Sequence, residues 1–199
     1  SMMGVETFAI EWVERRDEIM KLYDALVEKL RSLYPLLADS PALAFNYGGN
    51  ETADVMGRER FEKYVAPHYD EAAEVLHKKG KLLGAHLDGN NRVWADIVAR
   101  SGLDYIEAFT PAPDTDMSMA DAREVWADKV LWINYPSSVH LASIETIEET
   151  TRQILRDAAP GDRLLVGITE DVPENRWREN FLAISRVLDT DGRTPVAAS

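Results

Sequence analysis

Five short apolar runs, separated by segments long enough to hold helices, constrain this chain more than any other feature. They are Ala42 to Tyr47, Gly80 to Asp88, Asp104 to Thr110, Lys129 to Tyr135 and Arg163 to Ile168. Short apolar runs bounded by turn residues read as buried strands. Strands that alternate with helical segments imply parallel pairing through right-handed crossovers. Asn46, His86, Asp88, Glu107, Asn134 and Glu170 all fall at or just beyond the carboxyl end of a run. In a β/α barrel these ends converge on one mouth, where such folds keep their chemistry. The repeated placement says more than any one residue.

The second run carries the densest chemistry. His86 and Asp88 are two apart, so on a strand both point to one side. Gly89 lets the chain turn, and Asn90 or Asn91 can cap the helix expected over Arg92 to Val98. A plainer reading stands beside this one: Asp88 shapes the turn and His86 is a hydrogen-bonded core histidine. Glu107 sits within a mostly apolar run, where an unpaired carboxylate would be costly to bury.

The helical segments follow from spacing. Val5 to Leu37 carries apolar residues at helical intervals, with a break expected at Arg15-Arg16-Asp17 and closure by Pro35 and Pro41. Gly48-Gly49-Asn50-Glu51-Thr52 is a loop without the lysine of a phosphate loop. Gly57 opens a helix running toward Lys79, and Pro67 predicts a kink or two abutting helices. His68 and His77 do not share a helical face as a ligand pair; they read as surface or helix-packing residues. Ser118 caps a helix to about Trp126, and further helices are expected over Ile144 to Ala158 and Glu174 to Leu188. The stretch 189–199 is small and polar and is expected to fray.

With 199 residues the chain can form one domain with a real core. A formal net charge of -13 argues against a nucleic-acid surface or an anionic membrane as partner. It also requires a local basic pocket for any anionic substrate. The absence of cysteine excludes disulfides and thiolate metal ligands. No apolar run approaches the roughly 20 residues that span a bilayer, and no signal peptide opens the chain, so the default expectation is the cytoplasm.

Several stretches resemble the uroporphyrinogen decarboxylase superfamily, from about Asp39 to Pro195. They are Arg58 to Pro67, Gly80 to Asn90, Ser101 to Asp104, Lys129 to Asn134 and Val172 to Asn175. That superfamily includes decarboxylases and corrinoid-linked methyltransferases. The resemblance implies an α/β fold, a partial TIM (β/α)8-type barrel with about five parallel strands. Residues 1–199 would form a single domain, the carboxyl-terminal portion of the family barrel, with leading helices over 1–38. The first three strands would be absent. An open sheet leaves two edges and part of the core uncovered, so an intimate homodimer or a longer enzyme is expected.

The same resemblance orders the functional expectations. In the superfamily's methyltransferases, zinc is held by a His-x-Cys pair and a further Cys, and a related pattern adds a Glu one strand later. Here His86-Leu87-Asp88 resembles the pair with Asp for Cys, and Glu107 falls where the extra Glu would. Glu170 is the nearest substitute for the last Cys. The first expectation is therefore a metal-dependent, methyltransferase-like enzyme acting on a small molecule. His86, Asp88, Glu107 and Glu170 would hold zinc, manganese or iron, and Asn46, Tyr47 and Asn134 would line the pocket. A corrinoid could be supplied by a partner protein. The second expectation is a metal-free decarboxylase-type lyase with Asp88 or Glu107 as general acid or base. Against it, the chain lacks the family's amino-terminal arginines and aspartate, and Val166-Gly167-Ile168-Thr169 has no histidine. The third is a truncated, non-catalytic barrel serving as a binding module.

Overall fold

Each apolar run forms one strand of a parallel sheet in the computed structural model, which describes residues 3–49 and 51–196. Asn50, within the loop after the first run, and Ala197, Ala198 and Ser199 of the tail lie outside the described residues. The strands are β1 (Ala44–Tyr47), β2 (Leu82–His86), β3 (Tyr105–Phe109), β4 (Val130–Asn134) and β5 (Leu164–Gly167). They lie side by side in chain order, all parallel. Winding in one direction is the barrel pattern, since a doubly wound sheet reverses partway. The sheet does not close: β1 and β5 are edges.

Alternation gives the sheet two unlike faces. Leu83, Ala85, Ile106, Leu131 and Ile133 point to one side and are fully buried. They pack with Tyr69, Leu76, Val98, Trp126 and Ile147 from the helices into the main core. The opposite face carries Leu82, Gly84, His86, Tyr105, Glu107, Trp132 and Leu165, which are register partners across the sheet or alternate along a strand. In a closed barrel this face would be the interior. Here Leu82, Trp132 and Leu165 are 49%, 40% and 51% exposed, so the interior side is apolar yet uncovered. Gly84 is required on it, because a Cβ there would run into the ring of Tyr105, which lies across β2. Tyr105 Oη donates to the Phe45 carbonyl at 2.8 Å.

The helices are α1 (Val5–Glu14), α2 (Arg16–Asp39), α3 (Ala53–Met56), α4 (Arg58–Tyr64), α5 (Ala66–His77), α6 (Ala95–Arg100), α7 (Met119–Val125), α8 (Ile144–Asp157) and α9 (Trp177–Asp191). The break between α1 and α2 falls at Arg15, as expected. Pro35 does not close α2; it lies inside it. Buried Tyr34 and Ala38 flank it, and their packing outweighs the hydrogen bond that proline removes. The helix expected from Gly57 divides at Val65, with Pro67 in the first turn of α5, where its missing N–H costs little. His68 is a packing residue, its Nε2 2.5 Å from Tyr23 Oη.

Ser118 caps α7 in a capping box with Asp121. The last helix begins at Trp177 rather than Glu174. Pro173 O takes the N–H groups of Arg176 and Trp177, and residues 174–176 form a turn. The tail is also ordered further than its composition predicts: α9 continues to Asp191, and Val196 N donates to Pro160 O at 2.9 Å. Among the described residues no helix is long and apolar enough to cross a membrane.

Candidate functional site

β2 and β3 bring His86 and Glu107 opposite each other on the uncovered face. A bulge in β3 makes this compatible with the core. Glu107 pairs with Trp132 and Phe109 with the very next residue, Ile133, so Ala108 is an extra residue. In a regular strand, residues two apart such as Glu107 and Phe109 would point the same way. With the bulge, Phe109 turns into the core, edge-on to Trp126 at 5.4 Å, while Glu107 stays on the open face. Ala108 takes φ of 59°, a left-handed conformation that costs a non-glycine residue about 1–3 kcal/mol. Such a cost at a candidate site is a pointer to function.

Two further polar side chains, Asn46 and Asp88, converge on the Glu107 and His86 pair. His86 Nδ1 is 2.5 Å from Glu107 Oε2. The same oxygen accepts from Asn46 Nδ2 at 3.0 Å. On the other side of the ring, His86 Nε2 is 3.4 Å from Asp88 Oδ2. Burial pulls the imidazole pKa down, but the Glu107 hydrogen bond and charge, with the charge of Asp88, outweigh it, and the net shift is upward. The histidine is thus held between two carboxylates, Asp88 just beyond β2 and Glu107 on β3.

The remaining expected residues lie elsewhere. Tyr47 points to the helix side, its ring 5.1 Å from Tyr69 and its hydroxyl 3.3 Å from Tyr34 Oη. Asn134 is fully buried, and both ends of its amide are used: Nδ2 donates to Thr110 Oγ1 and Oδ1 accepts from Thr169 N. It pins the exits of β3 and β5 to β4. Glu170 is exposed beyond β5, with β3 and β4 between it and His86. Two strand spacings beyond β3, at about 4.8 Å each, separate it from the Glu107 carboxylate in sheet terms.

Glu51 is the residue that sequence reasoning missed. Its carboxyl lies in the loop after β1, in space left by Gly49, where a Cβ would collide with it. Its Oε2 is buried without a partner among the described residues, and so is the hydroxyl of Tyr69. Burial raises the Glu51 pKa above the ordinary carboxylate value, with the charges of His86 and Asp88 acting on it in opposite directions. A carboxylate two residues after a strand-end Gly-Gly was its one signal in the sequence.

The arrangement can be tested for fit to a metal. Two ligands about 2.1 Å from one zinc at the tetrahedral angle stand about 3.4 Å apart. His86 Nε2 and Asp88 Oδ2 have that separation. Glu107 sits behind the ring on Nδ1, where metal-binding histidines usually meet an orienting carboxylate. Among the described residues, however, no group of three or more His, Asp or Glu converges as a ligand set. Two donors and their support are in place; a third protein donor is not.

The uroporphyrinogen decarboxylase (URO-D) family model matches residues 1–184. Among solved structures, the chain is similar to a methyltransferase from Methanosarcina mazei, with a TM-score of 0.68 at 15% identity. The match covers 94% of this chain and 53% of the methyltransferase, so the chain spans about half the length of that protein. No curated protein sequence matches significantly.

Proposed function

Because this chain belongs to the uroporphyrinogen decarboxylase family, we propose that it is the carboxyl-terminal part of a methyltransferase-like enzyme acting at the ends of β2 and β3. The observation that carries this reading is His86 held between Asp88 and Glu107 at the carboxyl end of a parallel sheet. The fold likeness to a methyltransferase supports it. A small-molecule substrate would meet the Nε2 side of His86, which faces Asp88. Glu107, itself held by Asn46, keeps the Nδ1 proton in place and so fixes Nε2 as the reactive nitrogen. Zinc, manganese or iron held by His86 and Asp88 would supply Lewis acidity to a substrate heteroatom. A corrinoid borne by a partner protein fits as the methyl source. Tyr105 forms the floor beside the pair, its ring seated over Gly84. The uncovered interior face and the two open edges lead us to include a homodimer in the proposal.

One observation favours a second reading, a metal-free lyase. The Glu51 carboxyl has its buried Oε2 without a partner among the described residues, and burial raises its pKa, the direction that favours the protonated form a general acid needs. Asp88 or Glu107 would then be the base.

Elemental analysis of the purified chain, supplied with zinc, manganese or iron, separates the two. About one ion per chain, lost in both His86→Ala and Asp88→Ala, is the expected result. Metal content unchanged in His86→Ala refutes the metal-dependent reading. No metal in any sample, with turnover that survives chelators, selects the lyase.

A further inference from the structure

An apolar surface lies away from the sheet, where α1, the first half of α2, α3 and α4 meet. α1 is rich in apolar residues yet has none buried. Between it and its neighbours runs a groove of about 500 Å³, lined by residues that include Phe8, Trp12, Tyr23, Leu26, Met56 and Tyr64. That volume lies within the range of small-molecule sites. The groove leads into a second cleft of about 470 Å³, with which it shares Trp12, Met56 and Arg60.

The second cleft differs in charge. Arg16, Arg58 and Arg60 line it, with Glu59 as the one acid. Arg58 spends both arms on Asp96, at 2.6 and 2.8 Å. Arg16 and Arg60 have no carboxylate partner among the described residues. Arg16 lies over the Trp12 ring at 4.6 Å and donates to Tyr64 Oη at 3.3 Å. Arg60 donates through Nε to Met56 O at 2.7 Å, and its terminal nitrogens have no hydrogen-bond partner among the described residues. Lys63 Nζ stands 5.1 Å from the Tyr64 ring. The Tyr64 pKa is accordingly lowered, first by Arg16 and then by Lys63. In a chain of net charge -13, this is a local positive field at the end of an apolar channel.

We propose that the groove binds a single-chain amphipathic anion, its hydrocarbon chain along Phe8, Trp12 and Leu26 and its acidic head between Arg16 and Arg60. The charge arrangement selects the head, and the uncovered apolar lining selects the tail. An anionic bilayer is disfavoured as the occupant, because α1 itself presents Glu6, Glu11 and Glu14. The proposal is independent of the chemistry at His86.

The test is a titration of the full chain with dodecanoate, dodecyltrimethylammonium and dodecanol, below their micellar concentrations, followed by tryptophan fluorescence. Trp12→Phe identifies the share of the signal that comes from the groove. Dodecanoate is expected to bind at least about tenfold more tightly than the cation, about 1.4 kcal/mol. Arg16→Gln with Arg60→Gln should abolish that preference while dodecanol binding persists, which separates loss of the head site from loss of the fold. Equal affinity for the two charged ligands overturns the proposal, as does unchanged preference in the double variant or no binding of any ligand. Binding seen only with phosphatidylglycerol vesicles overturns it in favour of a membrane surface.

Discussion

Replacing Glu107 with Gln should destabilise the protein in a pH-dependent way that isolates the His86 pair. The substitution keeps the shape and an acceptor for Asn46 but removes the charge. A hydrogen bond to a charged group contributes about 1.5–3 kcal/mol, against about 0.5–1.5 kcal/mol for a neutral one. The His86 and Glu107 side chains are 28% and 13% exposed, so the lower half of the charged range applies. The sign follows from linkage. The folded-state pKa of His86 lies above the ordinary histidine value, so its stabilisation is fully present below about pH 6.5 and is lost as pH rises through the folded pKa. Urea unfolding of wild type and Glu107→Gln at about pH 5 and about pH 8 gives the difference, in which the other titrating groups cancel. The variant should lose about 2 kcal/mol at the lower pH and about 1 kcal/mol less at the higher one. A loss that is independent of pH, or larger at the higher pH, refutes the pairing.

Two further outcomes can be checked with the same material. His140 is fully buried, its Nε2 without a partner among the described residues, and burial, then the charge of Arg176, lowers its pKa; Asp114 opposes them. Its contribution is present above about pH 6.5 and is lost as pH falls, so His140→Phe should flatten the acid-side decline in urea midpoint, and an unchanged slope would count against it. Trp132→Glu places a charge on the uncovered sheet face: sedimentation should show a dimer for wild type and a monomer with unchanged circular dichroism for the variant. A monomeric wild type at micromolar concentration removes the homodimer from the proposal.

The strands were legible because burial on both faces, or one, writes itself as short apolar runs, and each run from Ala42 to Ile168 contains its strand. The His86, Asp88 and Glu107 grouping was legible because parallel strands in chain order bring successive carboxyl ends together. What could not be read was decided by packing. Pro35 reads as a stop in isolation, yet Tyr34 and Ala38 carry the helix past it. Tyr47 reads as a mouth residue, but alternation from Asn46 turns it to the helices. Glu51 became buried through the path of a glycine loop, and spacing carries no record of that path.

The extra residue in β3 has a consequence for how this site can change. Upstream and downstream of Ala108 the inside-outside rhythm of the strand is out of phase by one position. A substitution at Ala108 leaves that offset in place, whereas losing the residue straightens the strand while Glu107 and Phe109 both keep their sides. The kink that presents Glu107 to His86 and Asn46 would disappear with every reactive group still present. Insertion and deletion are therefore a route, beside exchange of side chains, by which a chain of this shape could lose or regain its chemistry.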